Sequence, residues 1–281
     1  MRGMVRRQNE MGNMAFVEHD GARIHWHEIG RGDPIVLIMG LGCSSAMWFR
    51  LAPRLARNHR VIMLDNRGSG YTEVPVFVLH RISQMARDVV AVLQTAGETS
   101  AHVLGFSMGG MIAQQLTIDH PERVRSLILL ATNCGSSHAI QADRKVTDLL
   151  FAKGNTTPEQ ALRIMQPFVY AKDTPASLIE VDNAVRLANY PTLRGYQGQL
   201  NGLLYWSSYS DLPRLRARTL VLHGLEDQLI PPQNGRMLAE RIRDAELIEL
   251  PRASHWAQTD QTEVVFKAVQ RFVGSAPGRA Y

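Results

Sequence analysis

A serine flanked by glycines is the residue of this chain whose setting best suits nucleophilic chemistry. Residues 105–109 read Gly-Phe-Ser-Met-Gly, a G-x-S-x-G pattern. A strand-like apolar run ends at Phe106 and a helix-compatible run begins near Met108, so Ser107 falls on the turn between them. The pattern in that context is typical of a nucleophile held on a sharp strand-to-helix turn. The alternative is a glycine-rich turn with an incidental serine.

A serine hydroxyl needs a base to take its proton and a carboxylate to orient that base. The C-terminal part of the chain supplies both, each in a loop after a strand-like run. Asp227 follows residues 219–223, and His255 follows residues 245–250. The sequence therefore predicts a Ser107, Asp227 and His255 triad. Glu226 is the competing acid, and His223, at the end of its strand, is expected to be a packed structural residue.

Two backbone amides are predicted to bind the oxyanion that forms on an attacked carbonyl. The amide of Met108 directly follows the nucleophile and lies at a helix N-terminus, where the partial charge is positive. A second amide is expected from residues 39–42, Met-Gly-Leu-Gly, where Gly40 and Gly42 allow a tight turn beneath the serine. Leu41 is the predicted donor and Gly42 is the alternative.

The elements that must position these residues follow an alternating order. Two strand-like runs, residues 14–20 and 22–28, meet at Asp20-Gly21, which favours a hairpin. Continuous apolar runs, typical of strands covered on both faces, then alternate with helix-compatible segments. These runs are residues 34–39, 60–65, 101–106, 124–131, 219–223 and 245–250. The order predicts an α/β fold with a mostly parallel central sheet and helices on both faces.

Residues 135–212 interrupt that alternation. They hold no strong strand run and several helix-compatible stretches. We call residues 135–212 the helical segment and predict that it forms a cap, or lid, above Ser107. Residues 1–134 and 213–281 then form the core domain, with residues 1–12 as a loose tail.

Composition restricts the classes of function. The chain has 281 residues, 45% of them hydrophobic and 20% charged, with a net charge of +5. These values are typical of a soluble globular protein, and the scattered arginines do not indicate a nucleic-acid or membrane partner. No secretory signal or membrane span is evident, so cytoplasmic residence is expected. Cys43 and Cys134 lack a metal-binding pattern and are expected to be free thiols, either of which could lie near the active site.

The chain resembles the α/β-hydrolase superfamily over nearly its whole length. Besides the motifs already described, residues 65–70, Asp-Asn-Arg-Gly-Ser-Gly, carry the resemblance. Residues 220–255 are similar to bacterial enol-lactone hydrolases and small esterases, and residues 105–110 are similar to perhydrolases and carbon–carbon bond hydrolases. One departure is Met39-Gly40, where many relatives have His-Gly.

The expected function is hydrolysis of a carboxylic ester or lactone through an acyl-enzyme, without a metal or organic cofactor. The substrate is expected to be a small, largely apolar molecule, bound by Gly40, Gly42, Trp48, Phe106 and Trp256. Two alternatives stay open. One is a carbon–carbon bond hydrolase that uses the same triad, and the other is a ligand receptor with slow or absent turnover.

Overall fold

The computed structural model describes residues 15–75, 79–135, 138–151 and 156–274. The tail predicted for residues 1–12 and the arginines at positions 2, 6 and 7 lie outside these ranges, as does Met14 of the first predicted strand. Among the helices described, none is long and apolar enough to cross a membrane.

Eight strands form one sheet in the order β1-β2-β4-β3-β5-β6-β7-β8. The first hairpin pairs antiparallel and joins β4 antiparallel, whereas all later pairings are parallel. The predicted α/β fold is thus confirmed, with boundaries that differ from the sequence ranges by a residue or two. The strands are β1 Ala15–His19, β2 Ala22–Ile29, β3 Asp33–Ile38, β4 His59–Leu64, β5 Ala101–Phe106, β6 Val124–Leu130, β7 Arg218–Gly224 and β8 Glu246–Leu250.

Helices cover both faces of the sheet and also form the helical segment. Those of the core are α1 Ala52–Leu55, α2 Ile82–Thr95, α3 Met108–Asp119, α8 Gln233–Arg241, α9 Ala257–Asp260 and α10 Thr262–Gly274. Those of the helical segment are α4 Arg144–Phe151, α5 Pro158–Val169, α6 Ala176–Ala188 and α7 Leu193–Leu204. Short 3₁₀ helices span Ser45–Arg50, Pro121–Arg123 and Leu212–Arg214.

The central strands are buried because helices lie on either side of them. Every residue of β5 is buried, as the continuous apolar pattern of that run predicts. The helix α2 buries Ile82, Met85, Val89 and Leu93, which recur at helical spacing along one face. This packing fixes β5, and with it the turn that carries Ser107.

The helical segment leaves and rejoins the core at neighbouring points. The amide of Ser208 donates to the carbonyl of Cys134 at 2.9 Å. A Cβ atom on Gly135 would collide with the carbonyl of Trp206, so the backbone that leaves the core and the backbone that returns to it lie in direct contact there. The segment is therefore an excursion that starts and finishes beyond the carboxyl end of β6.

Candidate active site

The turn between β5 and α3 holds Ser107 in a backbone conformation that only tight packing maintains. Its φ is +56°, in the region that side chains rarely adopt. A Cβ atom at Gly105 would collide with the carbonyl of Gly109, and one at Gly109 would collide with the carbonyl of Ile38. The glycines of the motif thus allow strand, turn and helix to approach closely, and this projects the serine from the sheet edge.

His255 lies between Ser107 and Asp227. Its Nε2 atom is 3.1 Å from Ser107 Oγ, and its Nδ1 atom is 2.8 Å from Asp227 Oδ2. His255 is 3% exposed, so these two contacts are shielded from solvent. The three residues that the sequence singled out, which are 148 and 28 positions apart along the chain, form one hydrogen-bonded row.

Asp227 is held by its own loop as well as by histidines. Its Oδ1 atom accepts hydrogen bonds from the amides of Leu229 and Ile230 at 2.9 and 2.8 Å. Burial on its own would raise the pKa of this carboxyl group, but the charge of His255 and hydrogen bonds from His223 and His255 hold the pKa below its ordinary value. The group is therefore poised as a carboxylate that faces the imidazole.

The two competing residues have other contacts. Glu226 accepts a hydrogen bond from the amide of Lys172 through Oε2 at 3.0 Å, and so points to the helical segment. His223 is wholly buried, and its Nε2 atom contacts the carbonyl of Ile230 at 2.8 Å, beside Asp227. This geometry favours Asp227 over Glu226 as the partner of His255 and gives His223 a packing position.

The loop that follows β3 passes directly beneath the serine. A Cβ atom at Gly40 would lie 2.9 Å from that of Ser107, so the closest approach requires glycine there. The amide of Gly42 donates to Gln199 Oε1 at 2.7 Å and is thus already engaged. Within the described residues the amides of Leu41 and Met108 have no such acceptor. Of the two donors considered in this loop, the geometry therefore favours Leu41.

A cavity of about 180 Å³ opens above Ser107 between the sheet edge and the helical segment. It is slightly larger than a cavity of about 150 Å³ that holds one benzene ring. The helical segment contributes apolar side chains to its wall, among them Leu162 and Met165 of α5 and Leu203 of α7. The segment therefore encloses the serine from above.

Three of the five predicted substrate-binding residues line this cavity: Gly40, Phe106 and Trp256. The other two lie elsewhere. Trp48 is wholly buried behind Phe106, with the two rings edge-on and their centroids 6.5 Å apart. Gly42 faces Tyr196, whose ring a Cβ atom at this position would approach to 2.9 Å. Both residues thus support the cavity wall from outside it.

Arg186 of α6 lines the cavity and was missed by sequence reasoning. Its guanidinium carbon lies 5.2 Å from the centre of the Trp256 ring, which is within cation–π distance. In the part of the chain that the structure describes, no carboxylate forms an ion pair with this guanidinium. The cavity therefore combines an apolar wall with one fixed positive charge. A lone arginine inside a helix pattern resembles any surface arginine, so no sequence signal marked it.

The two cysteines are buried and form no disulfide. Cys43 lines the cavity, whereas Cys134 contacts Met237 at a sulfur–sulfur distance of 3.7 Å. Across the described ranges, no group of three or more histidine, cysteine, aspartate or glutamate side chains is arranged to hold a metal ion.

A strained serine at the carboxyl edge of a doubly covered parallel sheet, with a histidine and an aspartate in a row behind it, defines an α/β-hydrolase. Comparison with known proteins gives the same class. Residues 33–161 match the family described as alpha/beta hydrolase fold. The chain belongs to this family and is a hydrolase of that fold.

Individual relatives are named for different activities. The chain is 31% identical to the 2-hydroxymuconate semialdehyde hydrolase of Pseudomonas sp. strain CF600, over 92% of this chain and 93% of that one. It is 30% identical to the "Putative carbamate hydrolase RutD" of Variovorax paradoxus, over 90% and 96% respectively. A solved structure of Est816, an N-acyl homoserine lactone degrading enzyme, superimposes with a TM-score of 0.80 at 28% identity and covers 92% of this chain and all of that one.

Proposed function

We propose that this hydrolase cleaves a carboxylic ester or lactone through an acyl-enzyme on Ser107. The observation that carries the proposal is the row of hydrogen-bonded side chains at 3.1 and 2.8 Å that joins Ser107, His255 and Asp227. In that row Nδ1 of the imidazole donates to the carboxylate, which leaves Nε2 with the lone pair that a general base requires.

The chemistry then runs in two halves. Ser107 Oγ attacks the substrate carbonyl while His255 Nε2 takes the hydroxyl proton, and the carbonyl oxygen becomes an oxyanion facing the amides of Leu41 and Met108. The tetrahedral intermediate expels the alcohol, which receives the proton from His255. Water attacks the acyl-enzyme by the same route, releases the acid and restores the serine. In a lactone the alcohol and the acid belong to one molecule.

The cavity restricts the substrate class. Its apolar wall and its volume of about 180 Å³ suit a small hydrocarbon or single-ring group next to the scissile carbonyl. Arg186 adds a charge that can pair with a carboxylate on the substrate. We therefore propose a small ester or lactone that carries an acidic group, which revises the largely apolar substrate expected from the sequence.

Hydrolysis of a carbon–carbon bond is the second candidate. The same Arg186 favours it, since an arginine in the cavity wall can bind the carboxylate of a dienoate-type acid while the serine faces a carbonyl elsewhere in the same molecule. The likeness to the 2-hydroxymuconate semialdehyde hydrolase also favours this reading. Side-by-side assay of acidic esters, lactones and vinylogous diketones separates the two candidates.

Covalent labelling tests the proposed nucleophile. A fluorophosphonate transfers its phosphonyl group to an activated serine with loss of fluoride and leaves a tetrahedral adduct, so we expect labelling on Ser107 and its loss in Ser107→Ala. Ser210→Ala is the matched control, because Ser210 is exposed. Labelling at another residue would contradict the proposal.

Turnover of a short-chain p-nitrophenyl ester separates an enzyme from a receptor. A hydrolase releases many equivalents of nitrophenol, whereas a binding protein would stall after at most one. A single-equivalent burst with every ester and lactone in the panel would favour the receptor alternative over hydrolysis.

A further inference from the structure

A buried glutamine of the helical segment contacts the loop that carries the predicted oxyanion donor. Gln199, on α7, is fully buried. Its Oε1 atom accepts from the amide of Gly42 at 2.7 Å, and its Nε2 atom donates to the carbonyl of Arg67 at 2.7 Å and to Ser69 Oγ at 2.8 Å. One side chain thus joins the helical segment to the loop after β3 and the loop after β4.

The helix that carries Gln199 is seated on the core by close backbone contact. Gly195 of α7 packs against Gly68, where a Cβ atom on the latter would lie 2.6 Å from the carbonyl of the former. One turn along, the carbonyl of Gly198 accepts from the amide of His80 at 3.1 Å. A Cβ atom on Gly202 would collide with the carbonyl of His80. Small residues at 195, 198 and 202 therefore form the face that brings Gln199 within reach.

Residues 39–45, which we call the oxyanion loop, depend on such side chains for their position. Asn66 Nδ2 donates to the carbonyl of Met39 at 2.7 Å, and Asp65 Oδ1 accepts from the amide of Ser45 at 2.6 Å. These two contacts hold the ends of the loop. Gln199 holds its middle, at the residue next to Leu41, and is the member of this set that comes from the helical segment.

We propose that Gln199 is a positioning residue that sets the oxyanion hole only when α7 is seated on the core. The inference rests on the proposed function. Without the acceptor, the half-buried amide of Gly42 loses its partner, and the loop is free to rotate toward another acceptor. That rotation moves the neighbouring Leu41 amide away from the developing oxyanion. The helical segment would thereby control catalysis as well as enclose the substrate.

The test compares Gln199→Ala with Gln197→Ala, since Gln197 is an exposed glutamine of the same helix. With p-nitrophenyl acetate, Gln199→Ala should lower kcat about 10-fold to 100-fold and leave KM within about twofold, as expected for a donor displaced by a fraction of an ångström to one ångström. Its affinity for a trifluoromethyl ketone, which adds to Ser107 and forms an oxyanion, should fall by a similar factor. Gln197→Ala should match the wild type in all three values.

A conservative pair keeps the test decisive if the alanine variant fails to fold. Gln199→Glu retains the acceptor for the Gly42 amide but loses the donor to the carbonyl of Arg67, so it should recover kcat and ketone affinity only in part. Gln199→Met retains the length but neither contact and should recover neither value. Wild-type turnover and labelling at Ser107 are measured first, and their absence would overturn the proposed function. If the wild type is active and the folded Gln199 variants match it in kcat, only the role of Gln199 would be overturned. A loss of kcat without a parallel loss of ketone affinity would overturn that role as well.

Discussion

The loops at the carboxyl edge of the sheet and the helical segment above them build one cavity by different means. On the loops, the main chain fixes each side chain: Ser107 by a strained turn, and Asp227 by two amides of its own loop. In the helical segment, position depends on which face of a helix points down, as with Arg186 of α6. The loops thus carry the residues suited to the reaction, whereas the helices carry residues that face the substrate or, like Gln199, support the loops.

Removal of the nucleophile, which lies among the loops, should have the largest effect on activity. Ser107→Ala should fold like the wild type and lower kcat by up to about 10⁶-fold, since removal of the serine of a triad has that cost in a related system. The measurement is steady-state turnover of an activated ester, with circular dichroism as the check on folding. If Ser107→Ala protein free of contaminating esterase turned over the ester like the wild type, Ser107 would not be the nucleophile.

Two adjacent acids on one loop provide the next test. Asp227→Asn should lower kcat by about 10⁴-fold, because an amide in place of the carboxylate leaves the imidazole in the wrong tautomer. Glu226→Gln should have a far smaller effect, since this side chain faces the amide of Lys172. A reversed order of the two defects would transfer the acid role to Glu226.

The sheet beneath the nucleophile holds a histidine that should make folding sensitive to acid. Burial, and next to it the charge of Arg125, lower the pKa of His102 on β5 to about 4. Folding therefore favours the neutral ring, and its contribution to stability is complete above pH 6.5, the ordinary value, and decreases as the pH falls toward 4. The shift corresponds to about 3 kcal/mol.

Urea unfolding at a series of pH values measures this contribution. Between pH 6.5 and pH 4, the unfolding free energy of His102→Gln should fall by about 3 kcal/mol less than that of the wild type. The matched variant Ser126→Ala removes the partner at 2.7 Å but keeps the ring, and should retain the pH dependence. If the unfolding free energy of the wild type and of His102→Gln changed equally with pH, the His102 ring would not be the cause of the pH dependence.

The smallest expected effect concerns the helical segment. Arg186→Met should raise KM about tenfold for an ester that carries a carboxylate, because one charge-assisted hydrogen bond is lost, and should leave a neutral ester of the same shape nearly unchanged. Arg186→Lys keeps the charge, so its KM for the acidic ester should lie between the values of the wild type and Arg186→Met. Equal KM changes for acidic and neutral esters would remove the carboxylate from the proposed substrate.

The sequence was informative where a residue type must occur at a fixed place in the fold. A strained turn and a close approach require glycine and serine at 105–109, so the fold and the positions of Ser107, Asp227 and His255 could be predicted together. Side chains on helices obey no such restriction. The pattern around Gln199 or Arg186 is compatible with a helix whichever way the helix is turned. Trp48 was predicted to line the cavity because the sequence around an aromatic residue near the oxyanion loop is the same whether its ring lies on the cavity wall or behind it.

The contact between Ser208 and Cys134, where the helical segment leaves and rejoins the core, makes this segment a natural unit for transplantation. A short bridge from Cys134 to Ser208 could replace the whole excursion without altering the order of the strands. A graft from a related hydrolase could exchange the substrate preference in one step. Such a chimera would need a glutamine facing Gly42 and a small-residue face against Gly68, since the acceptor chain supplies neither by itself.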